Sequence, residues 1–333
     1  MRNNTFNALV VREAEGGEFV RSVEERRIDD LPAGDVLIRV EYSSLNYKDA
    51  LSASGNKGIT RTYPHTPGID AAGVVEKTGV GTVSEGDRVI VHGYDLGMNT
   101  AGGFSEYIRV PSEWVVPLPN GLSTREAMCA GTAGFTAALC ASAIRDGGIN
   151  PTNGPVVVSG ASGGVGCTAI RLLAMMDFEV TAMTGKLNEA ENLKAIGATT
   201  VLDRESLIED PKRYLLKGMW AAGIDTVGGA YLDSMLRGLK IHGVLAACGN
   251  AASPVLNTNV YPFILRGVRL QGIDSAHTPI EVRKAIWQRL GNEWKLSGLD
   301  AFIHECTLSE LNADIDIMLR GAGRGRLIVR IGS

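Results

Sequence analysis

No cysteine precedes Cys129, and none of the five in the chain (Cys129, Cys140, Cys167, Cys248 and Cys306) stands in a CxxC pair. An odd set of scattered thiols in 333 residues makes no disulfide framework and reads as small buried hydrophobes. No run approaches the ~18 uninterrupted apolar residues of a membrane span. The opening stretch Met1-Arg2-Asn3-Asn4-Thr5-Phe6 lacks the apolar core of a signal peptide. A soluble, cytoplasmic protein without a membrane partner is the expectation. A dense basic run is also missing: 33 Lys and Arg against 37 Asp and Glu leave a net charge of −4, which argues against a nucleic-acid binder. The five histidines (His65, His92, His242, His277 and His304) are scattered without ligand spacing, so no metal site is expected.

What is present is a globular composition, 44% hydrophobic and 21% charged, in a chain long enough for two domains. The first third carries short β-branched runs between Gly, Asp and Pro: Val36 to Tyr42, Gly73 to Glu76 and Asp87 to Val91. Many short strands with glycine-rich joints suggest a barrel-like domain. From Ser123 the rhythm becomes helical. Strands then alternate with helices: Val156 to Ser159, Glu179 to Met183, Thr200 to Leu202, Ile224 to Val227, Val244 to Ala247 and Val268 to Gln271. That alternation predicts an α/β fold with a six-stranded parallel sheet of the Rossmann type. A helix is predicted over 188–196, capped by Asn188 with Glu191 three residues on and ended by Gly197. Further helices are predicted near Glu281 to Leu290 and Leu308 to Leu319, with a last strand over Arg326 to Arg330. The expected domains are 1–125 with 275–333 (barrel-like, catalytic) and 126–274 (dinucleotide-binding).

The strongest local signal is a strand, a glycine turn and a helix start, from Val156 through Gly160-Ala161-Ser162-Gly163-Gly164-Val165-Gly166. Glycines let the backbone approach a pyrophosphate, and the helix start offers free N–H groups and a positive dipole end. Ser162, Gly163, Gly164 and Val165 are therefore cofactor-binding candidates. An NAD site expects Asp or Glu roughly 20 residues further on, at the end of the second strand. Here that strand ends in Thr184-Gly185-Lys186, with Arg204 just past the third. A hydroxyl and cations suit a 2′-phosphate, so NADPH is the expected cofactor; the alternative for Lys186 and Arg204 is a solvated surface charge. Asn250 follows a sheet strand at the carboxyl edge, where ligands bind.

This layout resembles the medium-chain dehydrogenase/reductase superfamily over essentially the whole chain, with its GroES-like catalytic domain. Zinc members carry a catalytic Cys, a Gly-His-Glu stretch and a four-Cys loop. This chain has Ser44-Leu45-Asn46-Tyr47-Lys48-Asp49 and Pro67-Gly68-Ile69-Asp70 at the first two places and lacks the third. The resemblance points to the zinc-free, quinone-oxidoreductase branch. Within it, Ser43 to Leu51, Pro67 to Asp70, Gly131 to Ala137, Ile224 to Gly228, Ala246 to Asn250, Pro262 to Arg266 and Gln271 to Ser275 are similar to NADPH-dependent acryloyl-CoA reductases.

The resemblance implies roles for single residues. Tyr47 would face the nicotinamide and donate to cofactor ribose or to a developing enolate oxygen. Asn46 and Asp49 would fix that loop through side-chain-to-backbone bonds. Phe263 and Ile264 would wall the nicotinamide, with Ile264 and Ser275 backbone groups on its carboxamide. Arg326 would bind cofactor or substrate phosphate. The implied reaction reduces the C=C bond of acryloyl-CoA to propanoyl-CoA. Lys57 and Arg61 are candidates for CoA phosphates, or belong to a solvated loop. A homodimer would pair through Val268 to Gly272. Two alternatives stay open: a general quinone or enone reductase, and a non-catalytic NADPH-binding protein.

Overall fold

The computed structural model describes residues 4–210 and 212–332. In chain order come β1 (Thr5–Glu13), β2 (Phe19–Arg27), β3 (Val36–Leu45), α1 (Tyr47–Ala53), β4 (Asp70–Thr78), β5 (Arg88–His92), β6 (Tyr107–Val110), β7 (Val115–Pro117) and α2 (Thr124–Asp146). Next are β8 (Val156–Val158), α3 (Gly164–Met175), β9 (Val180–Thr184), α4 (Ala190–Ala195), β10 (Thr200–Asp203), β11 (Trp220–Asp225), α5 (Gly229–Arg237), β12 (Leu239–Ala247), α6 (Tyr261–Arg266) and β13 (Arg269–Gly272). The chain closes with α7 (Ile280–Gly291), β14 (Ile303–Thr307), α8 (Leu311–Leu319) and β15 (Arg326–Arg330).

Two compact units result. The first holds the chain up to Thr132, Ala276–Lys295 and the stretch from Ile303 on; the second holds Ala133–Ser275 and Leu296–Phe302. The boundaries therefore fall at 132/133 and 275/276 rather than at 125/126 and 274/275, and residues 296–302 rejoin the second unit. The early boundary moves because α2 is one helix by hydrogen bonding but is interrupted at Gly131, whose φ is +51°.

In the first unit β1 and β2 form an antiparallel hairpin, and seven strands form a mixed sheet in the order β14-β15-β3-β4-β5-β7, with β6 also on β3. Strand β3 is the spine, paired antiparallel with β4, β6 and β15. Alternating side chains such as Val36, Ile38 and Val40 enter a core with Leu9, Val89, Phe104 and Ile108, closed by Leu311 and Ile315 of α8. Arg283 of α7 ties the returning segment to this unit. It donates to the carbonyls of His92 (2.9 Å) and Ala276 (3.1 Å), and its guanidinium lies 4.5 Å from the Tyr94 ring centroid. Burial and Arg283 push the His92 pKa well down, and the Trp287 indole N–H donates to its Nε2 at 2.8 Å.

In the second unit six strands run parallel in the order β10-β9-β8-β11-β12-β13. Strand β8 is buried at every residue, which is why Val156-Val157-Val158 shows no alternation. The predicted helix at Asn188 starts differently. Residues Leu187–Glu189 make a 3-10 turn, and α4 begins after Glu189 with no side-chain cap. Likewise α8 begins at Leu311, because Glu310 turns back to bond the Thr307 N–H and hydroxyl. Helix α2 has the length and apolarity of a membrane span by composition, yet 78% of its apolar window is buried inside the protein.

Candidate active site

The first unit's polar cluster is built on Asp70, fully buried at the start of β4. Its carboxylate accepts from Ser44 Oγ (2.5 Å), Asn46 Nδ2 (2.7 Å), Thr132 Oγ1 (2.5 Å) and the Thr132 N–H (3.0 Å). Arg326 stands opposite, its Nη2 3.8 Å from Asp70 Oδ2. The same guanidinium donates to Ser44 Oγ (2.7 Å), Asn46 Oδ1 (3.2 Å) and the Cys129 carbonyl (3.1 Å). A buried ion pair is tolerated when its remaining donors and acceptors are satisfied, as they are here.

Asn46 links this cluster to Tyr47. It is the N-cap of α1 and forms a reciprocal capping box with Asp49. Asp49 Oδ2 accepts the Asn46 N–H at 2.8 Å, while its Oδ1 accepts the N–H groups of Gly68 (3.1 Å) and Ile69 (2.8 Å). Asn46 and Asp49 thus fix the loop as the sequence suggested. Tyr47, the first residue of α1, is left 57% exposed, with no hydrogen bond to its phenol among the described residues.

The phosphate contact expected of Arg326 does not fit this placement. Its side chain is buried and committed to Ser44, Asn46 and Cys129, so it organises the cluster instead. Lys57 is likewise engaged: it meets Glu13 at 2.6 Å and lies over the Phe19 and Tyr63 rings. Arg61 is exposed. Asp70 and Gly131-Thr132, which sequence alone marks only through family resemblance, form the centre of the cluster. Their signal was a buried-type aspartate on an apolar strand and a glycine inside an apolar helix.

The second unit's loop is shaped for a dinucleotide phosphate. Gly160 has φ +59°, and a Cβ there would collide with Thr226 Oγ1; a Cβ on Gly166 would collide with the Gly160 carbonyl. Gly163 precedes α3, so the N–H groups of Gly164 and Val165 are in the first turn, where a helix has no internal acceptor for them. Asp225, at the end of β11, holds the turn by accepting from Ser159 Oγ (2.6 Å) and the Gly228 N–H (2.8 Å).

The end of β9 adds the discriminating groups. Ser162 Oγ and Thr184 Oγ1 are 3.1 Å apart, and Thr184 Oγ1 accepts the Lys186 N–H at 3.0 Å. A Cβ on Gly185 would lie 2.9 Å from Arg204 Nε, so the structure gathers Ser162, Thr184, Gly185, Lys186 and Arg204 in one place. Arg204 also meets Glu205 at 3.1 Å, a half-exposed pair of little strength. Asn250 lies exposed beyond β12, Ile264 is 67% exposed on α6, and Ser275 is half-buried after β13. A glycine cradle, hydroxyls and two cations, with no carboxylate at the β9 terminus, fit a phosphorylated dinucleotide.

Two outcomes follow from the first unit. A Cβ at Gly131 would lie 2.5 Å from Arg326 Nη2 and 2.7 Å from Asp70 Oδ2, at a positive φ. Gly131→Ala should therefore lower unfolding free energy by about 2–4 kcal/mol in urea titrations. Gly148→Ala, with a φ of +84° but open space, should cost only the backbone strain of about 1–2 kcal/mol. The second outcome concerns pH. Burial, then Asp70, push the Asp49 carboxyl up to about 7 from 3.8. The folded state then binds that proton more tightly than the unfolded state, so stability declines as pH rises from about 4 through about 7. The stability advantage of wild type over Asp49→Asn should narrow by on the order of 2 kcal/mol between pH 5 and 8. A constant gap would contradict the assignment.

The family model for the alcohol dehydrogenase GroES-like domain matches residues 32–120, and that for zinc-binding dehydrogenase matches residues 164–290. Among the described residues no group of three or more His, Cys, Asp or Glu is placed to hold a metal. Asp70, saturated by N–H and O–H donors and faced by Arg326, does not fit a cation ligand. The acrylyl-CoA reductase AcuI of Ruegeria pomeroyi is 43% identical over 98% of this chain and 100% of its own. The Escherichia coli K-12 protein YhdH, solved with bound NADPH, superimposes with a TM-score of 0.94 at 42% identity, covering 98% of this chain and 100% of that one. YhfP of Bacillus subtilis, assigned as a quinone oxidoreductase, is 42% identical over 91% of this chain and 92% of its own. Its structure with NAD bound gives a TM-score of 0.95 at 40% identity over 98% and 99% of the two chains. By near full-length identity and shared fold, the chain belongs to the medium-chain dehydrogenase/reductase family, alongside the acrylyl-CoA reductases and quinone-oxidoreductase-like proteins.

Proposed function

We propose that this protein is an NADPH-dependent reductase that converts acryloyl-CoA to propanoyl-CoA. The observation that carries the reading is the 43% identity to an acrylyl-CoA reductase across 98% of the chain. NADPH, held by the residues named next, would supply the hydride that reduces the C=C bond at the carbon β to the thioester. The N–H groups at the start of α3 and the Ser162 hydroxyl take the pyrophosphate. Thr184, Lys186 and Arg204 take the 2′-phosphate, and Asn250, Ile264 and Ser275 serve the nicotinamide half.

Negative charge then develops on the thioester carbonyl oxygen as an enolate. The Tyr47 phenol is the donor assigned to that oxygen, since it is exposed, otherwise unbonded and anchored through Asn46. Preorganisation is the role of Asp70 and Arg326. They hold the backbone at the Tyr47 helix start without touching substrate, so the phenol swings from a fixed origin. No step passes through a metal, because the residues at that place are already saturated.

The enzyme is further proposed to act in the cytoplasm, where cysteines outside any disulfide are at home. A homodimer would use β13, an edge strand of the parallel sheet.

A second reading, reduction of free quinones or enones, is favoured by the 42% identity to YhfP. NADPH consumption with acryloyl-CoA, with a small quinone and with neither separates the readings. Turnover confined to the thioester supports the proposal, and turnover confined to the quinone replaces it. NADPH binding without turnover on either leaves a non-catalytic binding protein. A charge-assisted bond to phosphate is worth roughly 1.5–3 kcal/mol. Lys186→Ala should therefore weaken NADPH by about 10- to 100-fold and leave NADH nearly unchanged in fluorescence titrations.

A further inference from the structure

Within the second unit, a run of hydrogen bonds leads from Tyr231 of α5 through Glu205 to Arg204, beside Gly185. Residues Arg204–Leu207 make a 3-10 turn directly after β10. Asp203 caps that turn: its Oδ1 accepts the Glu205 N–H at 3.0 Å, and its carbonyl accepts from Ser206 Oγ at 2.6 Å. The far end is held as well, with Leu207 buried and the Glu209 N–H donating to Ser234 Oγ at 3.2 Å. Glu205 therefore leaves a fixed backbone. Its Oε1 accepts twice, from the Tyr231 hydroxyl at 2.8 Å and from Arg204 Nε at 3.1 Å. Tyr231 is anchored in turn, buried in an apolar cluster with Leu207, Leu232 and Met235. Burial, then the bond to Glu205, raise the pKa of its phenol, so the hydroxyl stays a donor.

The bond to Glu205 constrains Arg204 at one edge. It occupies Nε and leaves Nη1 and Nη2 without a partner among the described residues. The side chain also lies across Gly185, where a Cβ would be 2.9 Å from Nε, 3.1 Å from Cζ and 3.2 Å from Cδ. That contact seats the guanidinium at the β9 terminus, next to Thr184 and Lys186. We propose that Glu205, held by Tyr231, is a positioning residue that orders Arg204 in advance for the 2′-phosphate of NADPH. The proposal rests on the cofactor-site reading above and extends it to two residues that touch no ligand.

Glu205 acts on the phosphate in two opposed ways. Its oxygen orders Arg204, whereas its charge repels a phosphate one side chain away. Both side chains are about half exposed, at 52% and 60%, so the ion pair itself contributes little and the repulsion is screened. Ordering is the larger effect, because a ligand that must immobilise a long side chain loses about 2- to 10-fold in affinity. The two effects are chemically separable. Glutamine at 205 keeps an acceptor oxygen for both donors and removes the charge, while alanine removes both.

The test titrates NADPH and NADH by fluorescence into full-length Glu205→Gln, Glu205→Ala and Tyr231→Phe, each with and without Arg204→Ala. Both variants at 205 lack the charge, so the difference between them reads positioning alone. Glu205→Gln should bind NADPH about 3- to 10-fold more tightly than Glu205→Ala, with equal affinities for NADH. In the Arg204→Ala background that difference should vanish. Tyr231→Phe keeps the carboxylate but frees it, and should weaken NADPH about 2- to 5-fold without changing NADH. Equal NADPH affinities for the two variants at 205 would overturn the positioning role. So would a difference that NADH shares, or one that survives Arg204→Ala. Arg204→Ala with undiminished NADPH affinity would overturn the placement of the phosphate and the positioning role with it. The expected differences in a protein that reduces no acryloyl-CoA would support the positioning role and count against the functional reading.

Discussion

A carboxylate removed from water must be met by donors from every direction, and Asp70 imposes that demand on the whole first unit. Leaving such a charge unpaired is strongly destabilising. Its donors come from β3 through Ser44, from the start of α1 through Asn46, and from the interruption of α2 through Thr132. Arg326, from the last strand, completes the set. Three segments far apart in sequence, at 44–46, 132 and 326, are thereby fixed to Asp70. Glycine at 131 is part of the same constraint, because a side chain there would occupy the space of Arg326 and Ser44. Tyr47 stands on this assembly with its hydroxyl uncommitted, which gives a chemical group a fixed origin without a metal.

The second unit solves a different problem, that of approaching a phosphate closely with neutral backbone. Tight glycine contacts at 160 and 166 bring the N–H groups of α3 forward, and Asp225 pins the turn from beneath. Selectivity is placed elsewhere, at the end of β9. There Thr184 and its neighbours present hydroxyls and positive charge where a carboxylate would favour an unphosphorylated ribose. One relative is solved with NAD and another with NADPH, and under the proposed reading the side chains at the end of β9 carry the choice in this chain.

Much of this was legible in sequence wherever the determinant is local. The buried run at Val156, the glycine turn, the cations after β9 and the six parallel strands each have a short-range signature. Long-range pairing hid the rest. The β1–β2 hairpin escapes notice because its second strand, Phe-Val-Arg-Ser-Val-Glu-Glu-Arg-Arg, is largely polar and half exposed. Arg326 reads as a contact for cofactor or substrate phosphate until the fold delivers it to Ser44 and Asn46. The break at Gly131 has only a glycine within an apolar helix as its signal, too weak alone to mark an interruption, and it moved the boundary between units. Asn188 has the chemistry of a cap, but the chain there prefers a 3-10 turn and leaves it outside the helix.

The central claim is that hydride goes to the carbon β to a thioester carbonyl and that charge collects on that carbonyl. Position-specific isotope transfer tests it most directly. NADPH carrying deuterium at C4, prepared in each stereochemical form, would be turned over with acryloyl-CoA in ordinary water. The account predicts a single deuterium at C3 of propanoyl-CoA from one form only, with a solvent hydrogen at C2. Deuterium at C2, or no reduction of the thioester while the cofactor is bound, would contradict it.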